Sequence, residues 1–221
     1  MKNCSYYCGL FLLFIAGLTS EVLGQPSWEL GGRLIPQSPK FMNAPSSGEY
    51  ILLDPIVNRR GFRVRPAVGI GVTYYLAERW TISGDLLYSA QGGGYPRRKT
   101  NTNYLKMPLW LGYSAHRQRN LIFTTQLGIE YGYLLKATLV DDFSDRREDV
   151  SAYLRRGYTG VAWAIGLKKY LFDHTYAIGM QLYLSSGLTN INRQGALIVR
   201  HLLTPGLRIT FDTTTLFKAT P

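Results

Sequence analysis

The chain has 221 residues, 46% of them hydrophobic and 13% aromatic, with 23 glycines and a formal net charge of +11. Its mean hydropathy is -0.07, and no run of about 18 apolar residues follows the extreme N-terminus, which excludes a bundle of membrane-spanning helices but not a membrane barrel. The glycines follow no three-residue period and form no low-complexity runs, which excludes collagen and argues against disorder.

Lys2 precedes an apolar run from Gly9 to Leu18, and Val22-Leu23-Gly24 offers small or modest side chains before Gln25. This reads as a signal peptide, residues 1–24, cleaved to leave one domain over 25–221. The apolar run, about ten residues, is too short to cross a bilayer as a helix. Cys4 and Cys8 both precede the cut, so the mature chain is expected to hold no disulfide, thiolate metal site or cysteine nucleophile. Gln25, not a cysteine, stands at the new N-terminus, which disfavours a lipid anchor. Cleavage removes one base, Lys2, and one acid, Glu21, so the charge stays at +11. Such an excess suits nucleic acid, anionic headgroups or a positive cavity; export argues against nucleic acid as a partner.

The mature chain alternates between apolar and polar residues with period two, the mark of strands whose faces meet different surroundings. From Trp80 to Gln91 the even positions are Trp80, Ile82, Gly84, Leu86, Tyr88 and Ala90, while the odd positions are mostly polar. Leu121 to Ala137 repeats this, with Leu121, Phe123, Leu127, Ile129, Tyr131, Tyr133 and Leu135 against Gln126, Gly128, Glu130, Gly132 and Lys136. Such lengths exceed the usual globular strand of about six residues and suit a tilted strand crossing a membrane. The same test predicts strands over 27–36, 62–76, 79–91, 103–115, 120–137, 157–170, 174–186 and 202–212. Long gaps (37–61, 92–102, 138–156, 187–201) take turns with short ones (77–78, 116–119, 171–173). That rhythm predicts an all-β fold, an eight-stranded antiparallel up-and-down barrel of the outer-membrane type, with long outer loops and short inner turns.

Only a closed barrel satisfies every strand backbone group in lipid. The outward set then predicts two aromatic girdles: Trp28, Tyr74, Trp80, Tyr113, Phe123, Tyr176 and Phe211 near the inner rim, with Tyr88, Tyr131 and Tyr133 near the outer. The opposite face carries Glu29, Arg33, Arg63, Arg65, Asp85, Lys106, Glu130, Lys136, Lys168 and Arg208. A soluble core would not absorb so many unpaired charges, which cost several kcal/mol each when buried. In an eight-stranded barrel they should interlock inside, with Asp85, Lys106 and Glu130 as a first network and Arg65, Lys136 and Arg208 around it. Seven bases against three acids on this face predict a net-positive lumen.

The final segment places Thr204, Gly206, Ile209 and Phe211 in a spacing that resembles the C-terminal signal read by the barrel-assembly machinery. Here about ten residues follow Phe211, whereas that signal usually closes the chain.

Four blocks in order resemble the PorT-like outer-membrane β-barrel family. They are Asp85-Leu-Leu-Tyr-Ser-Ala-Gln-Gly92, Asn103-Tyr-Leu-Lys-Met-Pro-Leu-Trp-Leu-Gly-Tyr113, Gly128-Ile-Glu-Tyr-Gly-Tyr-Leu-Leu135 and Ser186-Gly-Leu-Thr-Asn-Ile191. They are similar to that family's "LLYSQQG", "YLEIPLLLKY", "G-x-x-x-GYLL" and "GLTNI" blocks and span nearly the whole mature chain. Lys106 departs from the pattern, which usually carries an acid there. The resemblance implies a Gram-negative outer-membrane protein, some of whose relatives are tied to type IX secretion.

No enzyme is expected. His116, His174 and His201 have no serine two residues on, the arrangement a strand needs to present a catalytic pair on one face. Asp141, Asp142, Asp145, Glu148 and Asp149 could hold calcium, but Arg146, Arg147, Arg155 and Arg156 suggest charges that pair with each other in a solvated loop. Pro96-Arg-Arg-Lys99 is a basic outer segment. No cofactor or metal is expected. The expected partners are outer-membrane lipid and lipopolysaccharide, the barrel-assembly machinery and other envelope proteins, in a structural or interaction role. A narrow anion-preferring pore or small-solute binder is the second reading. A periplasmic lipocalin-like carrier, with its polar face outward, is the third.

Overall fold

A computed structural model describes residues 27–38, 40–44, 64–77, 79–94, 98–118, 121–141, 146–172, 175–189, 198–202 and 204–216. Eight long strands run antiparallel in chain order: β1 (Ser27–Gln37), β3 (Arg65–Tyr75), β4 (Trp80–Gly94), β5 (Arg98–Gln118), β6 (Leu121–Asp141), β8 (Gly157–Leu171), β9 (Tyr176–Gly187) and β11 (Thr204–Leu216). Three short strands lie between them: β2 (Lys40–Ala44), β7 (Arg146–Asp149) and β10 (Ile198–Leu202). Each long strand pairs with the next, and β11 pairs with β1, so the sheet closes into a barrel. The row of paired residues Trp28, Tyr74, Ile82, Leu111, Leu127, Trp163, Leu184 and Pro205 leads round the wall. It returns not to Trp28 but to Ser38, whose amide donates to the Pro205 carbonyl. This climb is the stagger that strand tilt requires of a closed barrel.

The sidedness is that of a membrane protein. Leu127, Ile129 and Leu182 are 65%, 65% and 66% exposed, whereas Lys106 and Arg208 are 1% exposed. Apolar side chains facing out around the whole wall, with charges enclosed, invert the arrangement of a soluble domain. A polar-out carrier is therefore the wrong architecture.

The strands outrun the predicted segments on the outer side. The 92–102 gap is largely ladder, since β4 and β5 stay paired out to Gly94 and Lys99. Thr100, Asn101 and Thr102 lack the apolar half of the alternation because a strand rising clear of lipid has no need of it. Beyond the β1 and β11 ladder, β2 pairs with β10, so part of the 37–61 and 187–201 gaps is strand as well. Within 138–156, β7 folds back on the end of β6, and a single 3-10 turn follows at Ser151–Tyr153. Residues 1–26, with the predicted signal peptide, Cys4 and Cys8, lie outside the described residues, as do Arg63 and Pro96.

Lys136 corrects the predicted inward face. The register shifts where Asn103 pairs with Lys136 but Tyr104 pairs with Leu134, so Leu135 is an extra residue in β6. A bulge of this kind breaks the alternation. Leu135 and Lys136 both face out, while Leu134 and Ala137 face in.

Candidate functional site: the filled barrel interior

The lumen is built in layers. Nearest the inner rim, Glu29 accepts from the Tyr75 and Tyr170 hydroxyls at 2.9 and 2.8 Å and pairs with Lys168. Lys168 also lies 3.1 Å from Asp212, which pairs with Arg33. Arg33 Nε then donates to Asp85 Oδ1 at 2.9 Å. The second oxygen of Asp85 accepts from Arg208 at 2.8 Å and from the Trp110 indole at 2.9 Å. Arg208 also donates to Gln126 and, at 2.9 Å, to Gln181, which donates to Thr124.

Above this continuous network sits an apolar layer of Ile35, Ala67, Leu87, Ala162 and Ala164 with the rings of Trp110 and Tyr183. A second polar group follows. Glu130 accepts from Lys106 at 2.9 Å and from the hydroxyls of Tyr158 and Tyr183 at 2.6 and 2.7 Å. Nearer the outer mouth, Tyr104, Leu134, Ala137, Tyr158 and Leu154 close into an apolar cluster, with Val150 packed against it. The segment that carries Val150 and Leu154 is anchored to β6: Val150 and Leu134 donate their amides to the carbonyls of Ala137 and Arg156, at 3.0 and 2.6 Å. A small polar cavity of about 30 Å³ remains in the inner half, bordered by Arg33, Lys168, Arg208, Thr124, Gln181 and Asp212. It is partly open and has room for a few waters.

Glycines make these large side chains fit. A Cβ at Gly71 would fall on Asp85 and the Arg33 guanidinium, and one at Gly132 on the Tyr158 ring. Without those side chains missing from the wall, a barrel of this width would be overfilled.

The structure brings Lys106 and Glu130 together but sets Asp85 in the lower network with Arg208. Arg65 is half-buried towards the outer end, where it donates to Asn101 at 2.5 Å, and Lys136 is outside altogether. Part of the predicted excess of positive charge is offset by Asp212, while Arg65 stays inside and Arg63 lies outside the described residues. Glu29, Asp85, Glu130 and Asp212 face Arg33, Lys106, Lys168 and Arg208 across six ion pairs. That leaves this core of the lumen balanced. Asp212 was legible in sequence, since it shares alternate positions with Arg208 and Thr210. Trp110, Tyr158, Tyr170 and Tyr183 were not, because their parity pointed inward while their aromatic character suggested a girdle.

The girdle residues face out. Trp28 packs tilted against Tyr74 with ring centres 4.5 Å apart, and Trp80 meets Tyr113 edge-on at 5.1 Å. Tyr88 and Tyr133 both pair with Leu105 at the other end; Tyr131 and Phe211 are exposed as well. The side chains of His116, His174 and His201 lie outside the described residues, and no cluster of potential metal ligands occurs among the described ones.

The family model for outer membrane protein beta-barrel domains matches residues 36–193. The chain belongs to this family. It is a β-barrel protein of the outer membrane. No curated protein matches its sequence. Among solved structures it is similar to Neisserial surface protein A, at 8% identity over 85% of this chain and 96% of that one, with a TM-score of 0.53. It is also similar to OprG of Pseudomonas aeruginosa (14% identity, 86% and 96% covered, TM-score 0.48) and to Ail of Yersinia pestis (11%, 88% and 100%, 0.46). For an outer-membrane barrel with such an interior, the chemistry inside is that of an interlocked scaffold.

Proposed function

We propose that this barrel is a closed outer-membrane scaffold that acts through its outer surface, as a subunit or assembly factor of a secretion or envelope-biogenesis complex. The single observation that carries the reading is the filled lumen: an apolar layer separates two charge-balanced networks, and the Leu154 cluster covers the outer one. The extension of β5 and β6 to 21 residues each supports it, because paired strand beyond the bilayer offers a rigid surface for a protein partner. The four sequence blocks favour the PorT-like branch and, through it, a type IX-like apparatus. No hydrolytic or transfer chemistry is part of this proposal.

Two measurements test it. In planar bilayers the protein should show no steady conductance, and anion-selective steps would favour the pore reading instead. Affinity purification in several mild detergents should recover defined envelope proteins with the barrel. Their consistent absence would defeat the complex-subunit role.

A further inference from the structure

The bulge at Leu135 has a chemical result on the outer wall. It turns Lys136 from the lumen to the outward face of β6, just beyond the row in which Tyr88 and Tyr133 flank Leu105. On the adjoining chain, the carbonyl of Arg156 accepts from the Leu134 amide at 2.6 Å, and the Arg156 guanidinium reaches the Tyr133 hydroxyl at 3.5 Å. Arg155, next to it, is exposed. The described acids of this region begin further from the membrane, with Asp149 opposite Thr138, Glu148 opposite Leu139 and Asp141 at the end of β6. Asp149 accepts from the Ser151 amide at 2.9 Å and lies within electrostatic reach of Lys136, so it partly offsets that cation on the side away from the membrane.

We propose that Lys136 and Arg156, with the Tyr133 hydroxyl, form a binding site for the phosphate of a phosphorylated glycolipid in the outer leaflet. An aromatic girdle marks the level of the headgroups. Cations immediately beyond it face phosphate oxygens, to which a guanidinium donates charge-assisted hydrogen bonds. Below the site the wall continues through Tyr133 and Tyr131, both exposed on the lipid face, so the acyl chains of the same molecule would lie along that wall. This selects a lipid over a soluble phosphate. The inference does not depend on the protein partner proposed above.

The test uses the protein folded into phosphatidylcholine vesicles doped with diphosphoryl lipid A or with the same lipid stripped of its phosphates. The phosphorylated form should be retained on the purified protein in preference to the stripped one. Lys136→Ala and Arg156→Ala should each lower retention about fivefold, the effect of removing one cation near a charged membrane surface. Lys136→Arg with Arg156→Lys should keep most of it, and Lys169→Ala, an exposed cation near the opposite rim, should change nothing. Heat-shifted gel migration checks that each variant is folded. Equal retention of the stripped lipid, or full retention by the folded double alanine variant, would overturn the proposal. Complete competition by millimolar inorganic phosphate would overturn its assignment to a lipid.

Discussion

Asp85 and Arg208 face each other at 2.8 Å across the lumen, with side chains 0% and 2% exposed. The other oxygen of Asp85 serves Arg33 at 2.9 Å, so two guanidiniums that water hardly reaches share one carboxylate, Arg33 pairing with Asp212 as well. Removing one member of a buried ion pair leaves an uncompensated charge and costs about 3–5 kcal/mol. Asp85→Ala should therefore lower the unfolding free energy by about that amount in urea titrations of vesicle-folded protein. Combining it with Arg208→Met should recover part of the loss, since residues in one network couple non-additively. A loss under about 1 kcal/mol for Asp85→Ala, the range typical of exposed pairs, would mean that the network is solvated.

Two glycines on opposite sides of the wall predict opposite outcomes. At Gly132 a Cβ would overlap the Tyr158 ring, whereas at Gly32 it would meet nothing within 4 Å. Gly132→Ala should destabilise by about 1–3 kcal/mol through overpacking. Gly32→Ala should be neutral or stabilising by up to about 1 kcal/mol, because it narrows the unfolded ensemble without a clash. The same unfolding titration measures both.

The contrast between these positions shows what was legible in the sequence. Period-two alternation is a property of each strand by itself, so the barrel, the outward Leu127 and the inward Lys106 could all be read from it. The partner of a lumen charge depends on register and stagger between strands far apart in sequence. Nothing local shows that Asp85 meets Arg208 or that Lys168 meets Glu29. Lys136 was misplaced for a related reason: one extra residue reverses every later side chain, and the bulge at Leu135 has no local signature. Trp110 and Tyr183 were missed because a glycine-lined lumen accepts aromatic rings with a polar tip as readily as an interface does.

Asp149 gives a pH prediction outside the membrane. Hydrogen bonds from the Ser151 side chain and amide, helped by the nearby charge of Lys136, hold its carboxyl below the ordinary carboxylate value. A group depressed in the folded state stabilises above its unfolded pKa of about 3.9, and that contribution fades as pH falls through the depressed value. The fold-back of β7 on β6 should therefore persist at mildly acidic pH and loosen only below about pH 4. Carboxyl titration by NMR should find Asp149 depressed in the wild type and returned towards the ordinary value in Ser151→Ala. An unchanged titration in that variant would remove the Ser151 hydroxyl as a cause and leave the amide.

Leu127 and Leu135 lie on the same outward face of β6 but at different depths. Leu127 sits between Phe123 near one rim and Tyr131 near the other, whereas Leu135 lies beyond Tyr133. If hydrocarbon covers this face, arginine at the first position should cost about 2–4 kcal/mol and at the second about 0–1 kcal/mol. If water covered it, Leu127→Arg would be as harmless as any exposed replacement, usually within about 0.5 kcal/mol. The gradient between the two variants, read from reversible unfolding in thin phosphatidylcholine vesicles, separates these cases without any assumption about partners. Equal, small losses at both positions would mean that the exposed apolar wall is not a lipid surface.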